Sequence, residues 1–174
     1  RYYYNGKEIN ILKRLPKILK KIKSIETIII LSYPGKRALK HKAKLKNILY
    51  WNKIKKNKNI QIEFKKFDFD HELAILYSSG TTGKPKCICH RSGGVLLQHL
   101  KEHQLHCEIN PCDNVFYFTT CGWMMWNWLV SCLASKASIV LFDGFPMYKR
   151  NDLLLKIAED EKITLFGVSA KYID

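Results

Sequence analysis

The stretch LAILYSSGTTGKPKCICH, Leu73–His90, joins an apolar run to a loop of Ser, Thr and Gly, and a second apolar run follows. The first run predicts a strand, and α/β folds bind their ligands beyond the carboxyl ends of strands. Gly80 and Gly83 allow backbone amides to approach a ligand, and successive amides form a concavity that binds anions. The hydroxyls and Lys86 add donors and positive charge, so the stretch predicts a phosphate-binding loop. A plain connecting loop without a ligand is the alternative.

Two familiar phosphate motifs do not fit this loop. In a Walker A loop, Ser78 would stand where glycine is needed and Pro85 where Ser or Thr is needed. The G-x-G-x-x-G pattern of dinucleotide-binding domains is also missing. The loop therefore belongs to neither of these classes.

Strand and helix patterns alternate from residue 73 to residue 169, which favours an α/β fold, a layered and largely parallel sheet flanked by helices. The pattern predicts N-caps at Ser92 and Asn151. Predicted strands span residues 27–33, 60–69, 73–78, 115–120, 138–144 and 164–169. Predicted helices span 9–23 (with a break at Pro16), weakly 43–51, then 92–106, 124–135 and 151–162.

The net charge of +15 is concentrated in residues 1–66, which hold 20 Lys and Arg against three acidic residues. Such a basic half could be a nucleic-acid-binding module, which stays open as an alternative of a different class. We favour a solvated face, because few of the interleaved aromatics that stack on bases are present. No apolar run is long enough to cross a membrane. Six cysteines without paired C-x-x-C spacing favour reduced thiols in a cytoplasmic protein over disulfides or zinc.

A second motif, which resembles a zinc site, lies in the predicted helix after the loop. His99, Glu102 and His103 form a literal H-x-x-E-H, and His106 follows one turn later. Two His four residues apart share one helix face, so zinc binding is geometrically possible. Five-residue matches are common by chance, and we predict no metal site here.

Tyr77–Lys86, YSSGTTGKPK, resembles the phosphate-binding signature of the adenylate-forming enzymes, which include acyl-CoA synthetases and luciferases. The segments around it, YNGKEI, HxxGGVLLQHLKEHQLHC, FTTCGWMMWNWLVS and TLFGVSAKYID, are similar in order and register to those of the acetoacetyl-CoA synthetase branch. The resemblance implies one partial adenylate-forming (AMP-binding) domain over residues 1–174, with a basic portion 1–66 and a phosphate-loop portion 67–174. It also implies a piece of a longer protein, inactive alone, whose remaining chain is its partner.

The resemblance implies a reaction in which ATP and a short-chain carboxylate give an acyl-adenylate, which CoA then converts to a thioester. The implied cosubstrates are ATP, CoA and Mg²⁺, with the Mg²⁺ ligands mostly outside this sequence, and the implied acid is acetoacetate. Another short-chain acid, such as acetate, stays open. The residues implied to hold the ATP phosphates are Ser78, Ser79, Gly80, Thr81, Thr82, Gly83 and Lys86.

Two of these implications concern chemistry at single residues. Lys86 is the expected catalytic residue, because its charge can stabilise the pyrophosphate that leaves. Gly122 and Trp123 are the expected lining of the substrate pocket, although aromatic residues at this density also pack buried helices. The expected partners are therefore small molecules, without nucleic acid or membrane.

Overall fold

The computed structural model describes residues 2–4, 7–31, 47–54, 61–78 and 83–173, in two compact units, Arg1–Phe64 and Lys65–Asp174. The first unit contains two small sheets. Strands β1 (Tyr2–Tyr4) and β2 (Lys7–Ile9) pair antiparallel, and β3 (Ile28–Ile30) and β4 (Ile48–Tyr50) pair in parallel.

The helices of the first unit confirm the predicted break at Pro16. A 3₁₀ turn at Ile11–Lys13 precedes helix α1 (Leu15–Lys21), and Pro16 occupies the first turn of α1. Proline is tolerated there because its missing N–H would have no partner within the helix. A short helix α2 (Trp51–Ile54) follows β4.

Two predictions in this half are wrong. The weak helix at 43–51 is replaced over Ile48–Tyr50 by β4, because pairing with β3 outweighs a weak helical pattern. The predicted strand at 60–69 is irregular over residues 61–68, where no described strand pairs with it, so alternation alone does not make a strand. Residues 32–46, 55–60 and 79–82 lie outside the described residues, and they include parts of the predicted strands 27–33 and 60–69, the predicted helix 43–51 and the predicted phosphate-binding loop.

The second unit begins with a hairpin and continues as alternating strands and helices. Strands β5 (Glu72–Ser78) and β6 (Lys86–Arg91) pair antiparallel. Helix α3 (Ser92–Leu100) follows directly and widens into a π-helical segment, Lys101–His106. The chain continues with β7 (Asn114–Tyr117), α4 (Met124–Ser131), a 3₁₀ turn (Cys132–Ser135), β8 (Ser138–Val140), α5 (Leu153–Asp160), β9 (Leu165–Gly167) and α6 (Ala170–Ile173).

The predicted parallel sheet is confirmed for β7–β9, in the order β8-β7-β9, with every pair parallel. The hairpin of β5 and β6 departs from it, because a short loop can join only antiparallel neighbours. The core of the unit lies between β7 and α4. Its buried apolar residues are Ile109, Val115, Trp128, Leu129, Cys132 and Ala137.

Both predicted N-caps are wrong. Strand β6 runs into α3 without a linker, so Arg91 is the residue before the helix, and the Ser92 hydroxyl donates to the Asp68 carbonyl instead, at 3.5 Å. At α5 the preceding residue is Asp152 rather than Asn151, and its carboxylate accepts hydrogen bonds from Arg150. The Ser92 hydroxyl is thus engaged by Asp68 and the Asp152 carboxylate by Arg150, and neither helix has a side-chain hydrogen bond from its N-cap residue.

The six cysteines differ in burial. Cys132 is fully buried, whereas the other five are exposed, and all six are free thiols. Burial raises the pKa of the Cys132 thiol to about 12, which keeps it protonated. Only this cysteine therefore belongs to the core.

Candidate nucleotide and substrate site

The ends of the phosphate-loop stretch are held together by the hairpin. Ser78 at the end of β5 pairs with Lys86 at the start of β6, so the loop starts and finishes at adjacent backbone positions. Gly83 has a φ of +154°, a value that side-chain-bearing residues rarely adopt. Ser79, Gly80, Thr81 and Thr82 lie outside the described residues. The described geometry thus brings Ser78 and Lys86 together, and the roles of the whole set stay predictions.

A cavity of about 500 Å³ lies between the inner side of this hairpin and the helices that follow. Leu76 of β5 and Met124 and Met125 of α4 contribute apolar walls. Its polar lining residues are His90, Arg91, Gln98, His99, Glu102 and Asn127. A pocket that is mainly apolar, with a few polar groups, is typical of a small-molecule site.

Glu102 fixes one wall of the cavity by joining the π-helical segment to α4. Its Oε2 accepts a hydrogen bond from Trp128 Nε1 at 2.9 Å, and its Oε1 accepts one from Gln98 Nε2 at 2.6 Å. Burial by itself would raise the pKa of the Glu102 carboxyl, but these two hydrogen bonds and nearby Lys101 lower it. Glu102 is therefore a carboxylate at neutral pH, and it orients the indole of Trp128.

His99 and His103 make further polar contacts with α4 and the 3₁₀ turn after it. His99 Nδ1 lies 2.6 Å from Ser131 Oγ, and His103 Nε2 lies 3.4 Å from Cys132 Sγ. The His103 ring also meets the Trp128 ring edge-on, with centroids 4.4 Å apart. Burial lowers the pKa of both imidazoles, so both are neutral at pH 7.

The H-x-x-E-H sequence therefore packs two helical elements together. Its three side chains contact α4 and the turn after it, and His106 is exposed. Within the described part of the chain, no three His, Cys, Asp or Glu side chains are grouped so that they could hold a metal ion. The zinc alternative has no geometric support there.

Gly122 and Trp123 lie just before α4, beside the cavity rather than in its lining. Gly122 has open space around it, and Trp123 is half-exposed at the residue before the helix. The next two residues, Met124 and Met125, do line the cavity. The role of Gly122 and Trp123 in a substrate pocket stays a prediction. Trp128 packs in the core and also borders the cavity.

Sequence reasoning missed the cavity residues on α3 and α4. Their signal was present, because Met124, Asn127 and Trp128 are spaced three and four residues apart and share one helix face. The same spacing places His99, Glu102 and His103 on one face, where the literal H-x-x-E-H match was predicted to be a chance resemblance to a metal motif and no contact with a second helix was predicted. The partner helix that explains both patterns is not adjacent in sequence.

Comparison with known proteins adds three likenesses. The chain is 41% identical over 174 residues to the acetoacetyl-CoA synthetase of Gallus gallus and 42% identical over 173 residues to the acetoacetyl-coenzyme A synthetase of Rhizobium meliloti (strain 1021). The alignments cover 98% and 99% of this chain but 26% of each relative. The solved structure of acetoacetyl-CoA synthetase from Streptomyces lividans matches with a TM-score of 0.85 and 38% identity, over 99% of this chain and 26% of that one.

The chain thus spans about a quarter of the length of the relatives that it matches. The sequence model of one family, described as AMP-binding enzyme, matches residues 5–173. This match takes in the phosphate-loop stretch, the hairpin and the helices around the cavity. The chain therefore belongs to the AMP-binding enzyme family.

Proposed function

We propose that this chain provides the ATP-phosphate-binding part of an acetoacetate–CoA ligase. The observation that carries the proposal is the phosphate-loop stretch. It lies within the match to the AMP-binding enzyme family, and the similar relatives are named acetoacetyl-CoA synthetase. In this reaction the carboxylate of the acid attacks the α-phosphorus of ATP, and pyrophosphate leaves. CoA then displaces AMP from the acyl-adenylate.

The proposed roles follow from the charge that develops on the leaving pyrophosphate. Amides and hydroxyls of residues 78–83 would hold the β- and γ-phosphates, and Lys86 would stabilise the growing negative charge. The pairing of Ser78 with Lys86 supports this, because it places the lysine at the mouth of the same loop. Lys84 occupies the variable position of the signature and receives no role.

Mg²⁺ would enter as the complex with ATP and neutralise part of the phosphate charge. The described residues contain no cluster of His, Cys, Asp or Glu that could hold the ion. We therefore assign it no ligand in this chain and derive no step through it.

The proposed substrate pocket combines Gly122 and Trp123 with the cavity next to them. The cavity supports this because it is open, largely apolar and bordered by Met124 and Met125. Acetoacetate is the proposed acid, and a different short-chain acid such as acetate is the alternative. The proposed partners are small molecules and the polypeptide that corresponds to the rest of the relatives, without nucleic acid.

We propose the cytoplasm as the location, supported by the six free thiols. None of the described helices combines the length and apolar character that crossing a membrane requires.

A chimera tests the function directly. This chain replaces the homologous quarter of the Streptomyces lividans enzyme, and acetoacetate-dependent ATP–pyrophosphate exchange and CoA thioester formation are measured. We expect activity from the chimera and none from the 174-residue chain alone. Lys86→Ala should lower kcat about 10²- to 10³-fold, as loss of one electrostatic donor does elsewhere.

Lys84→Ala is the matched control and should keep activity near that of the unaltered chimera. Equal activity of the Lys86→Ala and Lys84→Ala chimeras would contradict the role of Lys86. A larger kcat/KM for acetate than for acetoacetate would instead support the alternative acid.

A further inference from the structure

Four polar side chains that border the cavity have hydrogen-bond partners within the chain. Gln98 donates to Glu102, which also accepts from α4, and His99 contacts a hydroxyl of the same helix. Arg91 Nη1 donates to the carbonyl oxygen of Asp70 at 2.9 Å. These side chains therefore hold the walls of the cavity together.

Asn127 differs from these four residues, because its side-chain amide is unpartnered. It is the fourth residue of α4, it is half-buried, and it borders the cavity. Its backbone carbonyl accepts a hydrogen bond from the Ser131 hydroxyl, but among the described residues no group pairs with its side chain. Asparagine is a weak helix former, so helical propensity does not favour it in the interior of α4. The amide is thus free to bind a ligand in the cavity.

His90 is a second lining residue whose side chain makes no hydrogen bond among the described residues, but its place in the chain differs. It belongs to β6, on the hairpin side of the cavity. Asn127 follows Met124 by three residues, which puts both on one face of α4. That helix begins directly after Gly122 and Trp123, the expected substrate lining. Asn127 is therefore the better candidate to contact the acid.

The two candidate acids differ in a group that an amide recognises. Acetoacetate carries a ketone on the second carbon beyond its carboxyl carbon, whereas acetate ends in a methyl group. A ketone accepts hydrogen bonds, and leaving it unpaired in an apolar cavity is unfavourable. The asparagine NH₂ group supplies donors without adding charge.

We propose that Asn127 is a specificity-determining residue that donates a hydrogen bond to the ketone oxygen of a β-keto acid. This proposal rests on the ligase function proposed above. Butyrate is the matched probe, because it has a methylene group where acetoacetate has the ketone. A site built to hydrogen-bond one substrate rejects the analogue that lacks the bonding group, because the polar group of the site is then left unpaired.

The Streptomyces lividans chimera tests this through kcat/KM for acetoacetate and for butyrate in ATP–pyrophosphate exchange. Asn127→Leu removes the donor and keeps a side chain of similar size. It should lower kcat/KM for acetoacetate about 10- to 100-fold and leave the value for butyrate nearly unchanged. Asn127→Ala, which favours the helix, gives the same comparison if the leucine variant does not fold. Asn151→Leu, the same change at an exposed asparagine before α5, is the control and should keep both values.

A second measurement does not depend on catalysis. The carbon-13 resonance of a labelled ketone moves downfield when the ketone oxygen accepts a hydrogen bond. Acetoacetate labelled at this carbon should show the downfield shift on binding to the chimera and to its Asn151→Leu variant. The shift should be absent in both Asn127 variants, and circular dichroism checks that each protein is folded.

The remaining outcomes overturn the inference. Equal losses for acetoacetate and butyrate in the Asn127 variants would indicate a structural role. A preference that survives both variants would exclude Asn127 from recognition, and a preference lost only in His90→Leu would assign the ketone to that imidazole. A ketone resonance that the unaltered chimera does not move would also contradict the proposal. Absence of exchange with every acid would instead refute the ligase function, and the resonance would still decide the role of Asn127.

Discussion

Leu129 and Leu133 are four residues apart on consecutive helical turns, yet their surroundings differ. Leu129 is 1% exposed within the core under β7, whereas Leu133 is 53% exposed. Leu129→Ala should therefore lower the free energy of unfolding by about 2–5 kcal/mol, since it removes buried methyl groups and leaves a cavity. Leu133→Ala should change it by less than about 0.5 kcal/mol. Urea denaturation of both variants checks this, and equal losses would contradict the core assignment.

Glu102 provides a second prediction about a single residue, because its carboxylate accepts hydrogen bonds from both Trp128 and Gln98. Glu102→Ala leaves the indole N–H without its acceptor and should cost about 1–3 kcal/mol of unfolding free energy. Glu102→Gln keeps a carbonyl oxygen for the indole and should cost less. If both variants are equally destabilised in urea, the hydrogen bond to Trp128 is not what stabilises this wall of the cavity.

The contact between α3, its π-helical continuation and α4 should depend on pH. Burial lowers the pKa of His99 and His103 below 6.5, and Glu102, His90 and Cys132 are the other titratable groups around them. Below pH 6.5 the unfolded chain therefore binds protons that the folded chain does not. The free energy of unfolding should fall as the pH drops below about 6.5, and it should level off below the folded pKa values.

A single substitution isolates this effect. His103→Phe keeps a ring beside Trp128 but removes a titrating group, so the decline between pH 7 and pH 5 should become shallower. His106 is exposed, and His106→Phe is the control that should leave the decline unchanged. Urea denaturation at a series of pH values gives the slopes. Identical slopes for the His103 and His106 variants would contradict the assignment.

Elements were predictable from sequence where a local pattern decides the structure. LAILYS lies within β5 (Glu72–Ser78), and the strands and helices after residue 114 follow their local apolar patterns, although β7 pairs with β8 and β9 rather than with its neighbours in the chain. Ile48–Tyr50 could not be predicted, since its strand exists through pairing with Ile28–Ile30, about 20 residues away. The irregular residues 61–68 show the converse, a strand pattern with no described partner.

The candidate site was likewise predictable from sequence only in part. The phosphate loop is visible in the sequence, because glycine, hydroxyl and lysine chemistry is concentrated in one short stretch. The cavity is not, because it depends on α3 and α4 packing together through residues about 30 positions apart, such as His99 and Ser131. A local motif suggested zinc there, and only the partner helix reveals the packing role.

At the scale of the whole molecule, the two units differ in charge as well as in sequence pattern. Residues 1–66 carry a net charge of +17 and residues 67–174 a net charge of −2, and the cavity and the hairpin belong to the second unit. The division of one domain into portions 1–66 and 67–174 stays a prediction, as does the absence of a nucleic-acid partner. The family membership rests on residues 5–173, which include both portions.

Hydrogen exchange at the amides of residues 78–86 in the chimera, with and without MgATP, tests the central claim most directly. We predict that MgATP slows exchange across this stretch, that Lys86→Ala removes the protection, and that Lys84→Ala retains it. Exchange that MgATP does not change, or protection that survives Lys86→Ala in full, would contradict the assignment of SSGTTGKPK as the ATP-phosphate loop.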